Sequence, residues 1–265
     1  MAIKNKYKLD DWNEYYKREK KIHLKHKTGF FSSYDIYLCE SILKKFLPKE
    51  NLKLSSRLKI CEIGSGDGKL LSRLSLMFGY NPYGIEYSSV ASKNYENLGI
   101  TPIICDIFDE KILSKYANYF DIVYSYGFIE HIYPPEKAVS VHLKILKPGG
   151  LFFIQIPRLK GFNYWKTRFF RPELLPLHNL DIMEEDELRK LCRRPDVEEL
   201  FCRNYGTLKL RLPLDKKNFR YYLMKFILLS DYLLNPFLRI LFKDRGFETR
   251  FFSSAVIFIG RKNAK

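Results

Sequence analysis

The chain has 265 residues, 46% of them hydrophobic and 16% aromatic, which is enough for one domain, or one domain with an elaboration, around a sizeable core. Its five cysteines include no C-x-x-C pair. We therefore expect reduced thiols in a cytoplasmic protein rather than a disulfide framework or a cysteine metal site. A net charge of +16 points to an anionic partner.

The positive charge lies mostly at the two ends of the chain. Residues 1–29 carry 9 basic and 4 acidic residues, residues 30–159 carry 15 and 13, and residues 160–265 carry 22 and 13. The nearly neutral middle therefore has two basic flanks, which favours an anionic acceptor or surface. A lysine-rich composition with solvated charges explains the excess equally well.

Two helices are predicted before the first strand. Leu9–Leu24 places aromatic residues near helical spacing with lysines opposite, and Ser32–Phe46 is a second helix stopped by Pro48. The loop His26–Phe30 between them is placed to close over a ligand, although solvated surface residues are the simpler interpretation of His23 and His26. No apolar leader opens the chain, so we expect no secretion signal.

A glycine-rich turn follows the first predicted strand. Leu58–Leu70 reads Leu-Lys-Ile-Cys-Glu-Ile-Gly-Ser-Gly-Asp-Gly-Lys-Leu and leads into a helix over Lys69–Phe78. Glycines accept positive φ and let a ligand approach the backbone, and the helix start offers free N–H groups. The spacing Glu-x-Gly-x-Gly-x-Gly differs from that of a dinucleotide-binding turn.

Strands and helices then alternate as far as Pro157. Short strands are predicted over Pro82–Tyr87, Pro102–Asp106 and Phe120–Ser125, and the motif Leu-Lys-Pro-Gly-Gly opens a fifth strand at Leu146. Such alternation requires a parallel sheet with helices on both faces, and right-handed crossovers bring the carboxyl ends of these strands to one edge. The functional site is expected at that edge.

The pattern changes after Pro157. The aromatic and basic run Arg158–His178 is too irregular for one helix, and a helix is predicted over Glu184–Cys192. A sixth strand is predicted over Tyr205–Leu212 and a seventh over Phe251–Gly260.

The apolar stretch Phe219–Phe242 lies between these last two strands. It contains charged residues and Pro236, so it offers no uncharged run long enough to cross a bilayer. A cap over the site, a dimer interface and a helix lying on a membrane all fit this composition. The cap or interface is favoured.

These motifs in this order resemble the class I methyltransferases that use S-adenosylmethionine (SAM). The resemblance implies a Rossmann-like α/β fold with a seven-stranded, mostly parallel sheet, an N-terminal helical lid and a helical insertion before the last strand. The corresponding divisions are 1–50 for the lid, 51–157 for the SAM-binding core, and 158–265 for the acceptor-pocket cap, the insertion and the last strands.

The resemblance also implies which residues hold the cofactor. The turn offers its backbone to the methionine part and Glu62 meets the ammonium group; Glu86 binds the ribose diol, and Asp106 with the Ile107 amide binds the adenine. The full predicted set is Glu62, Gly64, Ser65, Gly66, Gly68, Glu86, Tyr87, Asp106, Ile107 and Ser125.

His131 is the candidate general base, because an imidazole titrates near neutral pH and this residue follows strand four. Glu130 is its candidate partner. Relatives that bind a divalent metal carry Glu-x-x-Glu-His here, whereas Gly127 replaces the first glutamate in this chain. We therefore expect metal-independent catalysis. The predicted acceptor pocket comprises Tyr126, Arg158, Trp165, Arg168 and His178.

The expected reaction is O-methylation of a small, anionic acceptor with release of S-adenosylhomocysteine. A sugar, sugar nucleotide or phosphorylated intermediate of polysaccharide biosynthesis fits the basic flank and the family analogy. Alternatives are a membrane-associated lipid or quinone methyltransferase, an RNA methyltransferase and a catalytically inert SAM-binding protein. Nucleic acid is disfavoured, because strand four lacks an Asn-Pro-Pro-Tyr-type motif and no RNA-binding module is visible.

Overall fold

A computed structural model describes residues 12–14, 17, 34–49, 57–210, 212 and 219–264, with only the backbone given at 228–233 and 235. Residues 12–14 and 17 are helical, in agreement with the predicted first helix. The rest of that helix, apart from these residues, and the loop His26–Phe30 lie outside the described residues.

Seven strands form one sheet in the order β3-β2-β1-β4-β5-β7-β6. All neighbours are parallel except β7, which runs antiparallel to both β5 and β6. The predicted seven-stranded, mostly parallel sheet is therefore confirmed. The strands are β1 Lys59–Ile63, β2 Asn81–Glu86, β3 Thr101–Ile104, β4 Phe120–Tyr126, β5 Leu146–Pro157, β6 Val197–Tyr205 and β7 Ala255–Lys262.

The α-helices cover the two faces of the sheet. The predicted helix after the glycine turn is found with the predicted bounds, and the run Arg158–His178 contains one α-helix followed by the 3-10 helix Pro172–Leu177. The α-helices are α1 Tyr34–Phe46, α2 Lys69–Phe78, α3 Glu110–Lys115, α4 Pro135–Ile145, α5 Gly161–Phe170, α6 Glu185–Cys192 and α7 Phe219–Phe242.

The prediction of the sixth strand was wrong. It was placed at Tyr205–Leu212, whereas β6 ends at Tyr205, which pairs with Ala255 at the start of β7. The true strand lies at the edge of the sheet and therefore tolerates exposed charged residues. In the sequence it resembles a polar surface segment, since it contains Glu198, Glu199 and Arg203. The seventh strand likewise begins at Ala255 instead of Phe251.

The alternation of side chains along the strands creates two cores. On β5, Phe152 and Phe153 are fully buried in separate clusters on opposite faces of the sheet. One cluster lies under α4 and α6, and the other under α1 and α2. Burying each phenylalanine stabilises the fold by about 1.5–3 kcal/mol, so both faces fix the sheet whose edge carries the site.

None of the helices in the described ranges is long and apolar enough to cross a membrane. This finding agrees with the composition of α7, where charged residues and Pro236 interrupt the apolar stretch.

Candidate functional site

The glycine turn after β1 folds back against β2. The amides of Gly64 and Ser65 donate hydrogen bonds to the Ile85 carbonyl at 2.9 and 3.2 Å. Gly64 has φ of +69°, and a Cβ atom there would collide with the Phe128 ring. Only glycine therefore allows the turn and the β4 loop to approach this closely.

Glu86 holds the turn from the end of β2. Its carboxylate accepts hydrogen bonds from the Gly66 and Ser88 amides, both at 2.8 Å. Burial raises its pKa above the ordinary value, while these backbone N–H groups oppose the shift. Each carboxylate oxygen has a second lone pair, so the group can still accept hydrogen bonds from a ligand diol.

Tyr95 is a site residue that the sequence analysis missed. Its hydroxyl donates to the Gly66 carbonyl at 2.9 Å and lies 2.6 Å from the Ser65 hydroxyl. Gly84 makes room for the ring, since a Cβ at that position would lie 2.6 Å from Tyr95. A glycine inside a strand marks such a close approach, and Gly84 was the signal that could have revealed Tyr95.

Glu62 is buried at the carboxyl end of β1. Its carboxyl group accepts a hydrogen bond from the Tyr124 hydroxyl at 2.8 Å. Desolvation by burial raises its pKa well above the usual range, against the opposing effect of that hydrogen bond. A cationic ligand group beside it would favour the charged carboxylate.

The turn, the strand ends and the β4 loop surround a cavity of about 490 Å³. The lining includes eleven of the residues predicted from the sequence: Glu62, Gly64, Ser65, Gly66, Glu86, Tyr87, Asp106, Ile107, Tyr126, His131 and His178. Trp12, Asp67, Leu70, Ile85, Phe108, Gly127, Phe128, Ile132 and Leu174 complete the lining.

The remaining predicted residues do not line this cavity. Gly68 immediately precedes α2, and Ser125 and Glu130 are buried. Arg158 instead forms a bidentate ion pair with Glu184, with N–O distances of 2.8 and 2.9 Å.

Two residues on α5 point elsewhere as well. Trp165 is 62% exposed, and Arg168 donates to the Tyr164 hydroxyl at 3.2 Å. The basic cluster from which an anionic acceptor was expected is therefore not assembled around the cavity. The sequence of this run shows no regular periodicity, so it could not predict the direction in which its basic side chains point.

Trp12 and Asn13 contact the cavity and its surroundings from the N-terminal part of the chain. The Trp12 ring meets His131 edge-on, with ring centroids 5.5 Å apart, and Asn13 accepts a hydrogen bond from the Ser88 hydroxyl at 2.6 Å. Trp12 was not among the predicted site residues, because helical spacing alone cannot tell where a helix docks.

Two histidines meet beyond the glycine turn. The His131 and His178 rings lie 4.6 Å apart, and their Nδ1 atoms lie 3.1 and 2.7 Å from the Leu177 and Leu174 carbonyls. A carbonyl only accepts, so each Nδ1 carries a proton in these contacts. The Nε2 of the neutral ring then keeps its lone pair and can accept a proton or bind a metal.

Glu130 lies behind these histidines, and its Oε1 is 3.8 Å from the His131 Nε2. Burial raises the pKa of the Glu130 carboxyl group to about 8, so it is largely protonated at neutral pH. One ligand atom each from Glu130, His131 and His178 lies within 4.8 Å of the others, a donor set that can hold a divalent metal ion. His178 supplies a donor that the pattern at residues 127–131 did not reveal, and metal independence stays a prediction.

A family model described as a methyltransferase domain matches residues 31–203. Among curated proteins, the chain is 31% identical over 110 residues to the ubiquinone biosynthesis O-methyltransferase of Coxiella burnetii. That match covers 40% of this chain and 47% of the relative, so the chain spans about half the length of the curated relatives it matches.

Solved structures share the fold over most of this chain. A SAM-dependent methyltransferase from Archaeoglobus fulgidus is 20% identical with a TM-score of 0.53, covering 94% of this chain and 99% of its own. Phosphoethanolamine N-methyltransferase 2 of Haemonchus contortus is 16% identical with a TM-score of 0.55, covering 98% and 61%. With the family match over residues 31–203, the chain belongs to the class I SAM-dependent methyltransferases.

Proposed function

We propose that this protein transfers the methyl group of SAM to a hydroxyl group of a small aromatic or otherwise apolar acceptor. The observation that carries the proposal is the lining of the cavity, which combines the histidine pair with the apolar side chains of Trp12, Phe128, Ile132 and Leu174. An apolar wall with a few convergent polar groups is typical of small-molecule sites. The similarity to an O-methyltransferase of ubiquinone biosynthesis supports the same acceptor class.

The sugar or phosphorylated acceptor expected from the sequence is the second candidate. It depended on the basic cluster between Arg158 and Arg171, but Arg158 is paired with Glu184 and Arg171 with Glu173. Among the residues that the structure describes, the lining of the cavity includes no arginine or lysine to meet an anionic acceptor. The apolar acceptor is therefore the better-supported proposal.

The cofactor would occupy the half of the cavity that carries the carboxyl ends of β1 to β3. Glu62 would face the ammonium group, the backbone at Gly64–Gly66 the methionine part, and Glu86 the ribose diol. Asp106 and the Ile107 amide would face the adenine; the Asp106 carboxylate already accepts from the Phe108 amide at 2.9 Å. When bound, SAM supplies a methyl group that needs no further activation.

The chain's own contribution is alignment, exclusion of water and removal of a proton. Trp12, Phe128 and Leu174 line the cavity and would exclude water around a bound acceptor, which would also strengthen the polar contacts inside. The Nδ1 contact with Leu177 fixes the His131 tautomer, so Nε2 is the atom that would take the acceptor's proton. Holding the reactants in line accounts for much of the remaining acceleration.

Release of S-adenosylhomocysteine tests the acceptor class directly. The purified protein is incubated with SAM and either small phenols and hydroquinones or sugars and sugar nucleotides, and the product is measured by mass spectrometry. We expect release with the phenolic set and a methylated phenol of matching mass. Release with only the sugar set would replace this proposal by the second candidate.

Glu86→Ala tests the ribose contact. The change removes a carboxylate that would accept two ligand hydrogen bonds and that also holds the turn, so SAM affinity should fall by about 30- to 150-fold, equivalent to 2–3 kcal/mol. Isothermal titration calorimetry measures the change. Glu96→Ala, an exposed glutamate in the same region, is the control and should bind SAM normally. Normal binding by both variants would mean that the ribose is held elsewhere.

His131→Ala tests the base. SAM affinity should stay within about twofold, while turnover should fall by about 10²- to 10⁴-fold, since a positioned base contributes that much. Pretreatment of the wild type with EDTA should leave turnover unchanged. If EDTA abolishes turnover and Mg²⁺ or Mn²⁺ restores it, the cluster is a metal site and His131 a ligand.

Glu130→Gln tests the protonation of the buried carboxyl group. Its folded-state pKa of about 8 lies above its ordinary value, so the folded protein holds a proton that the unfolded chain loses. Stability from this group is present at low pH and decreases as pH rises from about 4.5 towards about 8. Glutamine does not titrate, so the melting temperature of the variant relative to wild type should rise between pH 5 and pH 8.5. A constant difference would show that Glu130 is charged in the folded state.

A further inference from the structure

Helix α7 exposes an apolar face to solvent. Phe219 is 77% exposed, Phe226 71% and Ile240 66%. At about 100° per residue, these and three similar residues, which lie in the first and last parts of the helix, fall within an arc of about 100°. We call this set the α7 stripe: Phe219, Tyr222, Phe226, Phe237, Ile240 and Leu241.

The opposite side of α7 fixes this orientation. Met224 is only 2% exposed, and Leu238 and Phe242 pack against the core cluster of α1. The Arg239 guanidinium lies 3.9 Å from the centroid of the Tyr37 ring on α1. The helix therefore has a buried side, and the α7 stripe faces away from the domain.

The apolar surface continues onto α5. Arg220 lies over the Phe169 ring at 5.4 Å, which brings the start of α7 next to α5. Trp165 and Phe169, one helical turn apart on α5, are 62% and 50% exposed. Monomers seldom expose continuous apolar patches of this kind unless the patch binds something.

Basic residues outnumber acidic residues in this part of the chain. Residues 205–250 carry ten lysines and arginines but only four aspartates and glutamates. Arg220 and Lys225 are exposed on α7, and Lys243 and Arg245 are exposed just beyond its end. An apolar face with a basic rim is the pattern of a helix that lies in the interface of an anionic bilayer.

We propose that α7 docks this protein on an anionic lipid surface, with the α7 stripe inserted between the headgroups and the basic residues at the rim. Phenylalanine is typical of the apolar face of such a helix, and tyrosine is favoured at the membrane–water interface. A second copy of the chain is a poorer occupant, since pairing two stripes would bring like-charged rims together. This inference does not depend on the identity of the methyl acceptor.

Co-sedimentation with vesicles tests the docking. The full chain is mixed with vesicles of phosphatidylcholine alone or with about a third phosphatidylglycerol, at low and high salt. We expect binding to the anionic vesicles that weakens at high salt. The double variant Phe226→Ser, Ile240→Ser should bind these vesicles about tenfold or more weakly, because it removes inserted apolar area. Leu76→Ser, which changes a residue 84% exposed on α2, should bind as wild type does.

Two results would overturn the proposal. Equal vesicle binding by the double variant and the wild type would place the contact elsewhere. A dimer in light scattering that the double variant converts to a monomer, without vesicle binding by wild type, would make a second copy the occupant. Melting temperatures confirm that each variant folds, and SAM titration confirms that the site is intact. No methyl acceptor is present, so failure here leaves the proposed function untouched.

Discussion

The site depends on how the Gly66 peptide is held. Its N–H donates to Glu86 and its carbonyl accepts from Tyr95, so both polar groups of one residue are fixed by side chains from β2 and the segment after it. A glycine-rich turn is otherwise free to adopt many backbone conformations, because it lacks Cβ atoms. These contacts remove that freedom before a ligand arrives, and preorganisation of this kind lowers the entropic cost of binding.

The same contacts link the turn to the sheet. Gly64 and Ser65 hydrogen-bond to Ile85, one residue before Glu86, so strand pairing between β1 and β2 sets the position of the turn. Gly64 in turn abuts Phe128 in the loop after β4, which leads to the histidine that would act on the acceptor. One set of contacts around β1 therefore positions both the strand ends proposed to hold the cofactor and the loop that carries the proposed base.

Much of this arrangement could be predicted from the sequence, because it follows from backbone geometry. Glycine spacing locates the turn, and an acid at the end of a parallel strand reaches the shared edge of the sheet, so Glu62, Glu86 and Asp106 were placed together. Side chains in irregular segments could not be placed in this way. Arg158 and Tyr95 both lie outside the regular pattern, and only tertiary packing turns one towards Glu184 and the other towards Gly66. The misplaced sixth strand has a different cause, since a register shift between Glu199 and Phe201 interrupts the alternation of apolar and polar side chains along β6.

The atoms of the histidine cluster suit either of two functions, proton transfer and metal binding. The Nδ1 contacts with Leu174 and Leu177 leave a lone pair on each Nε2, which suits a base as well as a metal ligand. The protonation state of Glu130 bears on this choice, because burial raises its pKa to about 8 and a neutral carboxyl group is a weak ligand for a hard cation. Metal binding would have to displace that proton, and its affinity would therefore rise with pH. At neutral pH the same proton leaves Glu130 as a neutral neighbour of the His131 ring, whose Nδ1 is held by the Leu177 carbonyl.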